Sequence, residues 1–288
     1  MRPHSPAMRD IVDIHRPAVP TSPLVLDSPH SGSHYPADFA PVVGPECYRR
    51  AEDMAVDVLF DQAPAVGAVL LAARFGRIYC DVNRAPDDLD PASIQGDFGA
   101  ALRPSAKARL GKGVVWQAVP PDGAPLYADK LPAAAVRARL RDYWRPYHRA
   151  LGALLDETHA RFGRVFHLDC HSMQAVSNAM HEEGAGRARP DIVLSDREGR
   201  TTAPAFLEAA ILLLEAEGFA VAVNDPYKGA EIVRRYGRPE AGRHSLQLEL
   251  NRRLYMDEER LERTAAFAST KARLDRFLAG LALAAQRL

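Results

Sequence analysis

The sequence predicts an α/β fold: a mixed, mostly parallel sheet flanked by helices. Short apolar runs alternate with longer helical patterns between residues 24 and 286. That alternation is the mark of a parallel sheet covered by its crossover helices. A hydrophobic fraction of 47% with 26% charged residues is ordinary for a globular chain. At 288 residues there is ample material for one large core. The chain is therefore read as one α/β domain over 1–288, with a loop-rich insertion at about 86–128.

The elements follow in order. LVLDS (24–28) is the first strand candidate, closed by a Pro-His-Ser-Gly turn. AEDMAVDVLFDQA (51–63) has a helical pattern opened by the acidic pair Glu52 and Asp53. AVLLA (68–72) and RIYCDV (77–82) read as strands. Segment 86–128 is rich in Pro, Gly and Asp and lacks periodicity, as in a long surface loop able to act as a lid. Helix 132–161 follows, then strand RVFHLDC (164–170), strand DIVLSD (191–196) and helix 202–217. FAVAVN (219–224) and HSLQLEL (244–250) complete the strands, and 258–286 is a terminal helix. No internal repeat is present, and GKG (111–113) and GAGR (184–187) lack the strand–loop–helix setting of a phosphate loop.

Charge and cysteine content narrow the function classes. Lys plus Arg equals Asp plus Glu at 37 each, so no net field calls for nucleic acid or an acidic membrane. The three cysteines, with no CxxC, fit a reducing compartment without a disulfide framework. The N-terminal stretch has no apolar h-region, and no 18-residue apolar run exists. The expectation is a cytoplasmic protein acting on a small molecule.

The stretch VFHLDCHSMQA (165–175) carries the first chemical signal. Side chains alternate across a strand, so Val165, His167, Asp169 and His171 share one face. Sites in open α/β sheets form at the carboxyl ends of strands. There the sequence places His30, Asn83, Arg84, His171, Tyr227, Lys228 and, on the polar face of the last strand, Glu249. Two histidines with one carboxylate suit zinc with a position left for water, and the same donors suit Co, Mn or Fe. Glu52 and Asp53, which open the next helical pattern after His30, are the carboxylate candidates, although an acidic pair also complements a helix N-terminus. Arg84 suits a two-pronged bond to a substrate carboxylate, or an ion pair with Asp81 or Asp87. Glu249 suits a general base. Cys170 and His171 point to opposite faces, which disfavours a Cys–His nucleophile, and no GxSxG elbow is present. His148 reads as a helix-face histidine, His181 as a solvated loop residue, and the arginines of 137–149 as a solvated face.

PHSGSHYP, ARFGRIYCDVNRAPD, LDCHSM, PDIVLSD, VNDPYKG and HSLQLELNRRLYMDE, in that order, resemble the N-formylglutamate amidohydrolase family over about residues 22–257. The resemblance implies a fold similar to zinc carboxypeptidases and aspartoacylases. It implies hydrolysis of N-formyl-L-glutamate to formate and L-glutamate, a late step of histidine degradation. It implies zinc on His30 and His171, a substrate carboxylate on Asn83 and Arg84, and Glu249 as the base. Ser33 stands where a carboxypeptidase-type His-x-x-Glu motif would have its carboxylate, so Asp53 is taken as the third ligand. Asp169 is expected to support a ligand histidine, and Tyr227 and Lys228 to reach substrate. Ala230 stands where the second glycine of a PYxGG motif is expected. Two other readings fit the same residues: a zinc amidohydrolase for other N-acyl amino acids or peptides, and a non-catalytic domain binding an acidic metabolite through Arg84.

Overall fold

The computed structural model describes residues 6–288; residues 1–5, the start of the N-terminal stretch, lie outside the described residues. Seven strands form one sheet: β1 (Val12–His15), β2 (Leu24–Ser28), β3 (Val69–Ala73), β4 (Val165–Met173), β5 (Ile192–Ser195), β6 (Val221–Val223) and β7 (Arg243–Asn251). Their spatial order is β1-β3-β2-β4-β7-β5-β6. The pairs β3/β2, β2/β4, β4/β7 and β5/β6 are parallel. The pairs β1/β3 and β7/β5 are antiparallel. The expected mixed, mostly parallel sheet is therefore present.

Two apolar layers cover the sheet. Phe166, Leu168, Cys170, Leu246, Leu248 and Leu250 face one side. There they meet Phe206 and Leu214 of α3 (Pro204–Ala216) and Leu274, Phe277, Leu278 and Leu281 of α5 (Phe267–Arg287). Val25, Val69, Leu71 and Val165 face the other side, against Tyr147, Leu151, Leu154 and Leu155 of α2 (Arg145–Phe162). The helix α1 (Ala133–Arg139) runs into α2 through a π-helical turn, Leu140–Trp144. A fifth helix, α4 (Glu231–Tyr236), precedes β7. Leu at alternate positions of β7 and apolar residues at alternate positions of β4 leave the opposite positions free for polar groups, which is what sites the chemistry. No helix is long and apolar enough to cross a membrane among the described residues.

Several expectations are corrected. Residues 51–63 do not form one helix: they split into Arg49–Ala51, Val56–Leu59 and Ala63–Val66, with Ala55 at φ 60° between the first two. Glu52 thus lies in extended backbone and Asp53 outside any helix, rather than in a helical first turn. RIYCDV is not a strand. Its backbone closes turns, with Tyr79 N donating to Gly76 O and Arg84 N to Asp81 O, and reaches the insertion through Asp81 N to Val114 O. Asp81 Oδ1 also accepts from Asn83 N at 2.9 Å, the local side-chain bond that competes with a ladder. Its apolar residues are nonetheless buried, which is why the run looks like a strand. The segment predicted as helix 258–286 becomes helical only at Phe267. Strand β1 and helix α4 were not anticipated.

Candidate active site

Gly32 lets the loop after β2 press onto the end of β3. A Cβ there would stand 2.3 Å from Arg74 C and 2.5 Å from Phe75 O, both backbone atoms. The same loop is tied down by His34 N donating to Arg74 O and Gly76 N to His34 O. His30 is thereby held over the carboxyl end of β2, and Asp53 N donates to His30 O at 3.0 Å. His171 projects from the carboxyl half of β4, in register with Glu249 of β7. Three separate segments therefore converge on one point.

Among the described residues, His30, Asp53 and His171 offer ligand atoms that all lie within 4.8 Å of one another. Each histidine turns its Nδ1 toward Asp53 Oδ2, at 3.4 Å for His30 and 3.0 Å for His171. Each turns its Nε2 toward another buried aspartate: 2.8 Å to Asp81 Oδ1 for His30, and 2.8 Å to Asp169 Oδ1 for His171. An ionised carboxylate only accepts, so the Nε2 proton goes to Asp81 and the His30 Nδ1 lone pair is left bare. That Nδ1 is fully buried without a hydrogen-bond partner. Two imidazole nitrogens and a carboxylate oxygen, each histidine backed by a second carboxylate, are the donor set and support that a divalent cation requires. The residues fit a metal.

Buried arginines hold these aspartates ionised. Burial opposes ionisation of Asp53, but Arg77 and the two histidine hydrogen bonds override it and keep the carboxyl well below its usual range. Arg252 NH2 adds a bond to Asp53 Oδ1 at 3.1 Å. Asp81 is likewise kept low against burial, chiefly by Arg77. Asp169 lacks such an arginine, and burial lifts it to about 6.

The choice between Glu52 and Asp53 is made by backbone direction. Glu52 turns away from the cluster, bonding Arg49 and the Tyr35 hydroxyl at 2.9 Å. Asp53, its neighbour in the chain, turns in.

A cavity of about 350 Å³ opens in front of the cluster. His171 lines it, while His30 and Asp53, both 0% exposed, lie behind. Glu249 faces it, with Gln247 Nε2 donating to its Oε1 at 3.0 Å. Burial pushes the Glu249 carboxyl up, against the pull of His171. Arg84 also lines it, donating Nε to Lys112 O and NH1 to Asn83 O. Among the described residues no carboxylate pairs with Arg84, so neither Asp81 nor Asp87 claims it. The insertion contributes Lys107, Lys112 and Trp116 to the wall.

Asn83 lines the cavity, as a substrate-binding residue would, and is also tied into the cluster. Its Oδ1 accepts from Ile232 N at 2.8 Å, which aims its NH2 between His171 Nε2 (2.9 Å) and Asp169 Oδ2 (3.4 Å). It borders the cavity and touches His171 at the same time. Tyr227 lines the cavity, whereas Lys228 sits at the rim, 62% exposed, with Nζ 2.6 Å from Glu198. Ala230 has φ −104°, a conformation any residue adopts, so the missing glycine costs nothing here.

The remaining histidines and the arginines of 137–149 are placed as follows. His167 is a core residue clamped between Asp27 Oδ1 (2.9 Å) and Ser245 Oγ (2.8 Å). His148 is buried between Val82 O and the Tyr236 hydroxyl. His181 is not a solvated loop residue but lines the cavity. Arg139 is not on a solvated face: it is buried over the Tyr79 ring at 4.0 Å. Sequence reasoning missed Arg77, Asp81 and Arg252; only the DVNR and ELNRR stretches, next to recognised motifs, could have flagged them.

The model of the N-formylglutamate amidohydrolase family matches residues 22–256. An N-formylglutamate deformylase of Pseudomonas aeruginosa is 33% identical over 243 residues, covering 82% of this chain and 83% of that protein. A second, from Pseudomonas putida, is 30% identical over 242 residues, covering 82% of each. The crystal structure of an N-formylglutamate amidohydrolase from Ralstonia eutropha JMP134 superposes with a TM-score of 0.91 at 41% identity, over 96% of this chain and 99% of that one. A gene product of Agrobacterium tumefaciens shares the fold at a TM-score of 0.65 and 19% identity, over 97% of each chain.

Proposed function

The chain belongs to the N-formylglutamate amidohydrolase family, and from that membership we propose that it hydrolyses N-formyl-L-glutamate to formate and L-glutamate, serving histidine degradation in the cytoplasm. The observation that carries the proposal is a buried His30–Asp53–His171 cluster behind a cationic cavity that also presents Glu249. Zinc suits the donor set best, and bound there it would supply Lewis-acid activation of water and of the amide carbonyl.

The chain's own residues do the rest. Arg84, facing the cavity without a carboxylate partner, binds one carboxylate of the substrate through its planar fork and so orients the amide. Glu249 accepts the proton of the attacking water and delivers it to the departing amine nitrogen. Its raised affinity for protons matches that exchange. Arg77, half-buried and lining the same cavity, brings positive charge to the developing oxyanion while its Nε and NH2 hold Asp81 and its NH1 reaches Asp53. Asn83 and Asp169 fix the ring of His171, and Asp81 fixes that of His30.

The test is formate release by zinc-loaded protein from N-formyl-L-glutamate, with N-acetyl-L-glutamate and N-formyl-L-methionine alongside. Release from the first substrate alone is expected. No release from protein shown to hold stoichiometric metal would overturn the substrate assignment.

A further inference from the structure

The substrate proposed above is a dianion, and Arg84 accounts for one of its carboxylates. The cavity wall holds several other cations, most of them committed. Arg77 and Arg252 are bonded to the buried aspartates. Arg189 is paired with Glu183 at 2.5 Å. Arg50 donates to Glu46 O and Glu258 O, and Lys228 is held by Glu198. Lys112 Nζ donates to Met180 O. Lys107 is different: among the described residues its ammonium has no hydrogen bond and no ion pair, feels the Glu182 and Glu249 carboxylates only at longer range, and lies over the Tyr227 ring with Nζ 5.4 Å from the ring centre.

Its position is built, not incidental. Lys107 sits on the helical turn Ala106–Arg109, capped by Ser105 Oγ, which accepts from Ala108 N at 3.1 Å. Ser105 is in turn fastened to Asp88 by its N (2.7 Å) and Oγ (3.0 Å). Asp88 O accepts from Val114 N, which ties the turn to the segment that also holds Asp81. A lysine lining a cavity from a braced turn, over an aromatic face and with no carboxylate in direct contact, is arranged for an anion that arrives with the ligand.

We propose that Lys107 is the specificity-determining residue of this cavity, reading the second carboxylate of a dicarboxylic N-formyl amino acid while Arg84 holds the first. The assignment rests on the functional reading above. Burial, with Arg84 adding to it and Glu182 and Glu249 only partly opposing it, presses the Lys107 ammonium down to about 8. A carboxylate placed beside it relieves that pressure, whereas a neutral amide does not. The insertion at 86–128 thereby selects the substrate, and the sheet edge does the chemistry.

The experiment compares wild type, Lys107→Met and Lys107→Arg, zinc-loaded, on N-formyl-L-glutamate and its neutral isostere N-formyl-L-glutamine. Lys107→Met is expected to lower kcat/KM roughly 10- to 100-fold for the glutamate substrate, the size of a charged hydrogen bond. It should barely alter the glutamine substrate, and Lys107→Arg should restore most of the loss. Equal losses on both substrates, or none, would overturn the proposal. Should wild type fail to cleave N-formyl-L-glutamate, the functional reading falls, and calorimetric binding of glutarate against its monoamide decides Lys107 separately. Lys107→Met must then weaken glutarate alone; if it weakens both ligands equally, or neither, Lys107 is not an anion reader.

Discussion

Replacing Asp81 by Asn separates the support of the metal cluster from its ligands. Asp81 Oδ1 accepts from His30 Nε2 at 2.8 Å and Asn83 N at 2.9 Å. Its Oδ2 accepts from Arg77 NH2 at 3.0 Å and Trp116 Nε1 at 3.1 Å. An asparagine has one accepting end, so either orientation sets an NH2 against two donors. With the NH2 toward His30, Nε2 must become the acceptor and the proton moves to Nδ1, the atom meant for the metal. With the NH2 toward Arg77, its guanidinium loses the nearer of its two carboxylates and keeps only Asp53 Oδ1 at 3.5 Å. The second arrangement costs about 3–5 kcal/mol of stability by analogy with broken buried pairs. The first costs the two donors lost at Oδ1 and roughly 10–100-fold in metal affinity, about 1.4–2.7 kcal/mol. The assay is zinc affinity by chelator competition, alongside urea melts of the metal-free protein. A weakened zinc affinity in a folded protein is expected. Wild-type affinity in a folded Asp81→Asn variant would refute the claim that Asp81 sets the tautomer of His30.

Four further outcomes are expected. His171→Ala should remove bound metal, measured by elemental analysis, whereas His167→Gln should keep it while losing about 1–3 kcal/mol of stability with its two core hydrogen bonds. Glu249 must be ionised to act, and burial raises its pKa. The kcat/KM profile should therefore fall, as pH drops, along a limb placed above the ordinary glutamate value of about 4.3; Glu249→Gln should lower kcat about 10²–10⁴-fold and erase that limb. Gly32→Ala forces a Cβ against the Arg74–Phe75 backbone; it should cost about 1–3 kcal/mol in denaturant melts and weaken metal binding through His30. Removing metal from protein that held it at 100 times Kd should cost about 2.7 kcal/mol, read as a fall in Tm on chelation.

Much of the architecture was legible because strand periodicity is local. The alternation in 164–170 and 244–250 assigns the polar faces that carry His171 and Glu249 before any pairing is known, and the observed strands follow it. Helices 132–161 and 202–217 announce themselves by length and apolar spacing, and both are found within a few residues. The failures share a cause. RIYCDV is as apolar as a strand, but its backbone is claimed by turns and by the insertion. Residues 51–63 are as periodic as a helix, but Asp53 N is claimed by His30 O. Both are long-range bonds that local pattern does not contain.

By itself the sequence determined the α/β class and the strands whose ends carry His30, His171 and Glu249, polar residues that the structure gathers around one cavity. Only the tertiary structure decided that Asp53 and not Glu52 turns inward, that Asp81 and Asp169 lie against the two histidines, and that Lys107 lines the cavity with no ion pair of its own. The physical reason is that side-chain direction within an element follows from local periodicity, whereas which charges neutralise one another depends on contacts between segments far apart in the chain. Asp53 meets His171 and Arg252 across 118 and 199 residues, and no spacing in the sequence encodes those meetings.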